Sequence, residues 1–171
     1  MGDPFHLPLQ DITPEHTLQR HAVEPGKHAV GEIADSAIRF LEQRPKNKPF
    51  LLYVPLEAPH DPRTAPPEYH AKYQAKRPPL PPDFLPQHPF DNGEMTVRDE
   101  RLAPWPRTPD NIRSQLADYY ALITFMDHQI GRIFTALEKS GAAGNTIIVF
   151  ASDQGLAMGS HGLMGKQNLY E

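Results

Sequence analysis

Two apolar runs constrain this chain more than any other feature. One spans residues 49–55, from Pro49 to Pro55, and the other spans residues 146–150, from Thr146 to Phe150. Neither carries the alternating polar face of a half-solvated strand, so both suit strands covered on two sides. A long stretch of helical periodicity lies between them, and two buried strands joined through a helix imply a right-handed parallel crossover. The carboxyl ends of parallel strands share one edge of the sheet, where open α/β folds bind ligands. His60 follows the first run and Asp153 the second, so the two residues are expected to face one crevice.

The elements around these runs follow from local pattern. Val30, Ile33, Ala34, Ala37, Phe40 and Leu41 recur at steps of three and four residues, one face of a helix that Pro45 and Asn47 end. A short helix is expected over Pro67 to Gln74, since Pro suits a first helical turn. Ile112, Leu116, Tyr119, Ile123, Met126, Ile130, Ile133 and Leu137 mark a long helix, with Asp110 as its expected N-cap and Gly141 as its stop. Tyr119 and Tyr120 are read as core rather than as a binding stripe, and Asp127 and His128 as an exposed face. Fourteen of the 20 prolines fall from Pro55 to Pro109. Within this stretch, residues 77–109 form a proline-rich loop, whose Phe84, Leu85, Phe90 and Trp105 favour a packed excursion over a free linker. Residues 1–27, with Pro4, Pro8, Pro14 and Pro25, are expected to be irregular, and His6, His16, His21 and His28 to be exposed loop histidines. Residues 28–171 are expected to form one α/β unit.

Composition removes several function classes. A formal net charge of −4 argues against a nucleic-acid footprint, which needs a basic face. Zero cysteines exclude disulfides and thiolate metal sites and leave the compartment undefined. No apolar run reaches the roughly 18 residues of a membrane span. The first residues show no basic region followed by an apolar stretch. The last, Leu169 to Glu171, carry neither a cap nor a polar tail, so the chain is expected to be a piece of something longer. There is no Gly-x-Ser-x-Gly elbow, Walker loop or His-Glu-x-x-His helix.

The residues that could carry chemistry cluster after the two runs. Asp153 and Gln154 offer adjacent oxygen donors of the kind that hard cations prefer, Ca²⁺ or Mg²⁺, and Asp153 could equally cap the turn after its strand. Two donors do not fill a calcium sphere of about six to eight. Lys166, after Gly159, Gly162 and Gly165, could meet an anionic substrate such as sulfate or phosphate, or could be a surface lysine. His161 could be a second polar contact or could order the glycine loop. His60 sits between Pro59 and Asp61-Pro62, where its backbone is restricted. That placement suits a proton donor and equally suits a loop histidine bonded to Asp61.

Taken together, these residues resemble the type I sulfatases. The match lies in residues 146–155, in the run Gly159-Ser-His-Gly-Leu-Met-Gly-Lys166, in Leu169-Tyr-Glu171, and in residues 50–62 with Pro66 and Tyr69 following. The helix holding Asp118-Tyr-Tyr-Ala121 and Asp127-His-Gln-Ile-Gly131 is similar to the one that precedes that family's metal-site strand. The resemblance implies an alkaline-phosphatase-like α/β fold, with a parallel-rich sheet flanked by helices, and makes residues 28–171 part of a sulfatase catalytic domain. It implies sulfate-ester hydrolysis on a sulfated small molecule or glycan. Asp153 and Gln154 would ligate Ca²⁺, with Mg²⁺ less favoured. Lys166 would contact the sulfate and the leaving-group oxygen, and His60 would bind sulfate and help protonate the leaving group. His161 is a further substrate-contact candidate. The family's formylglycine nucleophile arises from a Cys/Ser-x-Pro/Ala-x-Arg motif. This chain has no Cys, and Ser36, Ser114, Ser140, Ser152 and Ser160 all stand in other contexts. The paired aspartates that complete the family's calcium site are also missing, so the chain as given is expected to be inactive. The alternatives are a phosphodiesterase or phosphonate hydrolase of the same superfamily, and a non-catalytic binding protein that keeps the fold.

Overall fold

The structure, a computed structural model, describes residues 9–12, 18–21 and 27–168. Expectations for His6, His16 and Leu169 to Glu171 lie outside the described residues. Two compact units emerge: residues 1–70 with 121–147, and residues 71–120 with 148–171.

In the first unit, β1 (Leu9–Ile12) and β2 (Leu18–His21) pair antiparallel with Leu9 opposite His21 and Ile12 opposite Leu18. This corrects the expectation of a wholly irregular segment. Pro4, Pro8, Pro14 and Pro25 all fall outside the paired residues, so none removes a ladder donor. Helix α1 (Ala29–Gln43) begins where His28 caps it: the His28 Nδ1 accepts a hydrogen bond from the Val30 N–H at 3.2 Å. It buries Ala34, Ala37 and Leu41 against Ile133, Ala136 and Leu137 of the long helix. The three-four spacing on both partners makes one stripe per helix, so the elements expected from periodicity form and pack as that pattern requires.

The long helix, present as expected, runs from Pro109 to Lys139. A short helix, α2 (Pro67–Ala75), precedes it, and the long helix is therefore α3. Its N-cap is Thr108 rather than Asp110. The Thr108 hydroxyl accepts from the Asn111 N–H at 3.3 Å, and Pro109 takes the first helical position, where its missing N–H costs nothing. Asp110 then sits in the first turn, where its charge complements the helix dipole. At the far end Gly141 adopts φ 74°, the left-handed conformation that stops a helix. Residues of α3 up to Tyr120 belong to the second unit and the rest to the first. No helix among the described residues is long and apolar enough to cross a membrane.

The two apolar runs behave differently from the expectation of doubly covered strands. Phe50, Leu52 and Val54 pack against the first unit's core, while Leu51 and Tyr53 are 91% and 82% exposed. The run is thus extended and one-sided. Ile147, Ile148, Val149 and Phe150 are all exposed. Among the described residues the only strand ladder is β1–β2, with one isolated bridge between Phe84 and Ser160. The parallel pairing of the two runs is therefore not formed here. The physical reason is that apolar composition favours a strand but does not make one; a ladder needs a neighbouring edge to bond to.

In the second unit, Ile112 and Leu116 of α3 pack with Ala103, Met158 and Met164, and Leu80, Phe84, Tyr119 and Leu156 cover them. The proline-rich stretch is thus a packed excursion. It contributes the buried residues His88, Asp99, Glu100, Ala103 and Arg107. Tyr119 joins this core, as expected. Tyr120 is 38% exposed and its ring lies 5.9 Å from that of Tyr73. Asp127 and His128 are exposed as expected, and His128 Nδ1 lies 2.5 Å from the Tyr69 hydroxyl.

Candidate active site

His60 belongs to the first unit and Asp153, Gln154, His161 and Lys166 to the second. The shared crevice expected for His60 and Asp153 rested on parallel strand pairing, and no such ladder occurs among the described residues. Each half is therefore built up separately.

His60 lies in a tight loop whose Ala58–Pro59 and Asp61–Pro62 peptides are both cis. Its N–H donates to the Glu57 carbonyl at 2.9 Å, and its ring Nδ1 lies 2.8 Å from the Asp61 carbonyl oxygen. A carbonyl can only accept, so Nδ1 carries the proton and Nε2 is the ring nitrogen left for exchange with a ligand. The contact to Asp61 anticipated from sequence is thus made, to the backbone rather than the carboxylate. The imidazole is exposed beside a cleft of about 50 Å³ that His28, Glu57, Asp61 and Leu122 also line. That volume suits one or two waters or the tip of a ligand rather than a whole substrate.

His28, expected to be an exposed loop histidine, is instead half-buried at the wall of this cleft and ties three segments of the first unit together. Its Nδ1 caps α1, and its Nε2 lies 2.9 Å from the Thr64 carbonyl. Its ring meets Phe125 edge-on at a centroid distance of 4.9 Å. Burial lowers its pKa below the ordinary histidine value, and the bond to the Thr64 carbonyl only partly opposes this. His28 is thereby held neutral, with its proton on Nε2.

In the second unit, Asp153 and Gln154 stand on an exposed stretch of backbone. The Ser152 hydroxyl bonds the Gln154 carbonyl at 2.7 Å. No cluster of three or more His, Asp or Glu side chains able to hold a metal ion occurs among the described residues. The chemistry of Asp153 and Gln154, oxygen only, fits a hard cation, but their number is two, well short of a calcium sphere of about six to eight.

Beyond them the chain closes into a tight loop. Ala157 N–H donates to the Gly165 carbonyl at 3.0 Å and Gly159 N–H to the Leu163 carbonyl at 2.7 Å. His161, at φ 51°, occupies the tip. Its N–H donates to the Asp83 carbonyl at 3.0 Å, and its Nε2 lies 3.0 Å from the Asp83 carboxylate. Its own carbonyl meets His88 Nδ1 at 2.8 Å. His161 therefore orders the loop, one of the two roles open to it from sequence. Lys166 follows at the end of the loop, half-buried, and its ammonium forms no ion pair among the described residues.

Sequence reasoning missed what holds this loop. The Glu100 carboxylate accepts from Met164 N–H at 3.0 Å and Gly165 N–H at 2.9 Å, and it pairs with Arg107 at 2.6 Å. Both side chains of that pair are fully buried. Neighbouring Asp99 accepts from Arg98 at 2.5 Å and from Gln167 at 3.0 Å. Burial alone would raise the Asp99 pKa, but these two hydrogen bonds and the charges of Arg98 and Lys166 outweigh it and hold the carboxyl below its ordinary value. Arg98-Asp-Glu-Arg101, a dense charge run inside an otherwise proline-rich loop, was the available signal.

The Sulfatase family description matches residues 5–171. The chain is 28% identical to the N-acetylglucosamine-6-O-sulfatase of Bacteroides thetaiotaomicron, over 89% of this chain and 37% of that protein. It is 32% identical to the arylsulfatase of Clostridium perfringens, over 86% of this chain and 31% of that protein. It spans about a third of the length of these curated relatives. Among solved structures, a protein in complex with its substrate D-glucosamine-2-N,6-O-disulfate superposes with a TM-score of 0.70 at 24% identity. That superposition covers 92% of this chain and 42% of the other, and shows a shared α/β fold.

Proposed function

Because the chain belongs to the sulfatase family, we propose that the polypeptide carrying it hydrolyses a sulfate ester of a small molecule or glycan, with Lys166 and His60 in the reaction. The observation that carries this reading is the family match over residues 5–171, supported by the closed loop that ends at Lys166. In water a sulfate monoester is resistant because negative charge must be accommodated on the sulfuryl oxygens and the leaving oxygen. Lys166 supplies a fixed positive charge for those oxygens, a contribution that preorganised sites make strong. His60, with Nδ1 committed to the Asp61 carbonyl, donates a proton from Nε2 to the departing oxygen when it is in the imidazolium form. Asp153 and Gln154 would hold Ca²⁺ together with donors from outside the described residues. The cation, when bound, polarises the sulfuryl group.

The nucleophile is not among these residues: no Cys is present, and no Ser stands in a Cys/Ser-x-Pro/Ala-x-Arg context. We therefore infer that the 171 residues alone do not turn over sulfate esters. The test compares the complete polypeptide on 4-nitrophenyl sulfate, bis(4-nitrophenyl) phosphate and an aryl phosphonate ester. The sulfate ester is expected to give the highest kcat/KM. A preference for the phosphodiester or phosphonate would replace the sulfatase reading with the related hydrolase, and no turnover of any of the three would favour a binding role.

A further inference from the structure

The loop that carries Lys166 is pinned on both sides of that residue by two adjacent carboxylates. Before it, Met164 and Gly165 donate their backbone N–H groups to Glu100. After it, Gln167 Nε2 donates to Asp99 Oδ2 at 3.0 Å and Asn168 Nδ2 to Glu100 Oε1 at 3.1 Å. The Gln167 side chain also turns back to accept from the Lys166 N–H at 3.2 Å. The approach is close enough that a Cβ on Gly165 would sit 2.9 Å from Asp99 Cβ and 3.2 Å from Glu100 Oε1. Arg107 completes the clamp. Its guanidinium donates to the Glu100 carboxylate at 2.6 Å, to the carbonyls of Glu100 at 2.9 Å and Gly162 at 3.3 Å, and to the carbonyl of Ala103. Its face lies 3.6 Å from the Trp105 ring centroid.

A fully buried ion pair is a poor way to gain stability alone, because desolvating two charges cancels much of their attraction. What this pair achieves is directional: every bond from Glu100 to the loop ends within two residues of Lys166. We propose that Glu100, neutralised by Arg107, is a positioning residue for Lys166 that fixes the backbone from which the lysine reaches the sulfuryl group. This rests on the reading of Lys166 as a sulfate contact. Glu100 does not touch substrate; it acts through the loop.

A double-mutant cycle in the complete polypeptide tests this, with kcat and KM on 4-nitrophenyl sulfate as readouts. Glu100→Gln keeps the side-chain shape but removes the charge and replaces one acceptor oxygen by a donor. It is expected to lower kcat about 10- to 100-fold with KM changed by less than about threefold, as a misplaced group does. In a Lys166→Ala background the same substitution is expected to change kcat by less than about twofold, because the group it positions is gone. Multiplicative losses across the cycle would overturn the inference while leaving Lys166 in the reaction. An inactive Lys166→Ala combined with a fully active Glu100→Gln would do the same. Wild-type turnover by Lys166→Ala would instead remove the underlying reading, and the inference with it. Should circular dichroism show that Glu100→Gln does not fold, Gln167→Ala and Asn168→Ala take its place in the cycle. Gln167→Ala withdraws the bonds to Asp99 and from the Lys166 N–H, Asn168→Ala those to Glu100 and from Asn92, and each variant is judged by the same non-additivity.

Discussion

Gly162 lies against the backbone of His88 so closely that a Cβ built on it would fall 2.7 Å from the His88 nitrogen. Its φ of 77° is also in the region that L side chains disfavour. Backbone on the far side of the contact cannot swing away as a side-chain tip could. Gly162→Ala is therefore expected to cost about 2–4 kcal/mol, combining left-handed strain with overpacking. Gly144→Ala, with nothing within 4 Å and no positive φ, is the control and should shift stability by less than about 0.5 kcal/mol. Urea denaturation of both variants decides it, and equal effects would count against the contact.

The His28 cap makes the first unit sensitive to mild acid. A lowered pKa means that the unfolded chain takes up the proton before the folded one as pH falls. The stabilisation is complete above the ordinary value of 6.5 and is lost as pH falls from there through the lower folded-state value. Protonation of Nδ1 removes the acceptor for Val30 N–H, an interaction of about 1 kcal/mol for a helix cap. His28→Asn keeps a capping oxygen and does not titrate. Unfolding free energies measured from pH 5 to 8 should show a shallower slope for this variant than for the parent, and identical slopes would exclude His28 as the source.

Burial and surface charge are expected to separate cleanly in mutational stability. Ile112 is 0% exposed in the second unit's core, so Ile112→Ala should cost about 2–5 kcal/mol through lost transfer energy and the cavity left behind. The Arg132–Asp35 ion pair closes to 2.5 Å, but its side chains are 41% and 32% exposed. Asp35→Ala should cost less than about 1 kcal/mol, and less again in high salt. Thermal melts at two salt concentrations distinguish the pair.

Exposed apolar runs predict self-association of the 171-residue chain. Ile147 and Val149 are 92% and 83% exposed, and an extended apolar segment with no pairing partner among the described residues is a template for another strand. Ile147→Thr with Val149→Thr should reduce association in sedimentation velocity while leaving the melting temperature within about 2 °C. Unchanged association would place the sticky surface elsewhere.

Local pattern alone determined the helices. The three-four spacing in α1 and α3, the proline that opens α2 and the glycine that stops α3 act over a few residues, so their outcome was readable without the fold. The candidates Asp153, Gln154, His60, His161 and Lys166 could be named for a similar reason: each sits in a compact motif whose residue types suit a chemistry. Three things waited for the tertiary structure. Which faces of the apolar runs are covered depends on neighbours that composition cannot supply, and here Leu51 and Ile147 face solvent. The role of His161 depended on Asp83, 78 positions earlier in the chain. The clamp on the Lys166 loop joins Glu100 and Arg107 to residues 55 to 68 positions away. Hydrogen bonds and ion pairs act over about 3 Å in space, and their partners at such separations meet only after the chain has folded.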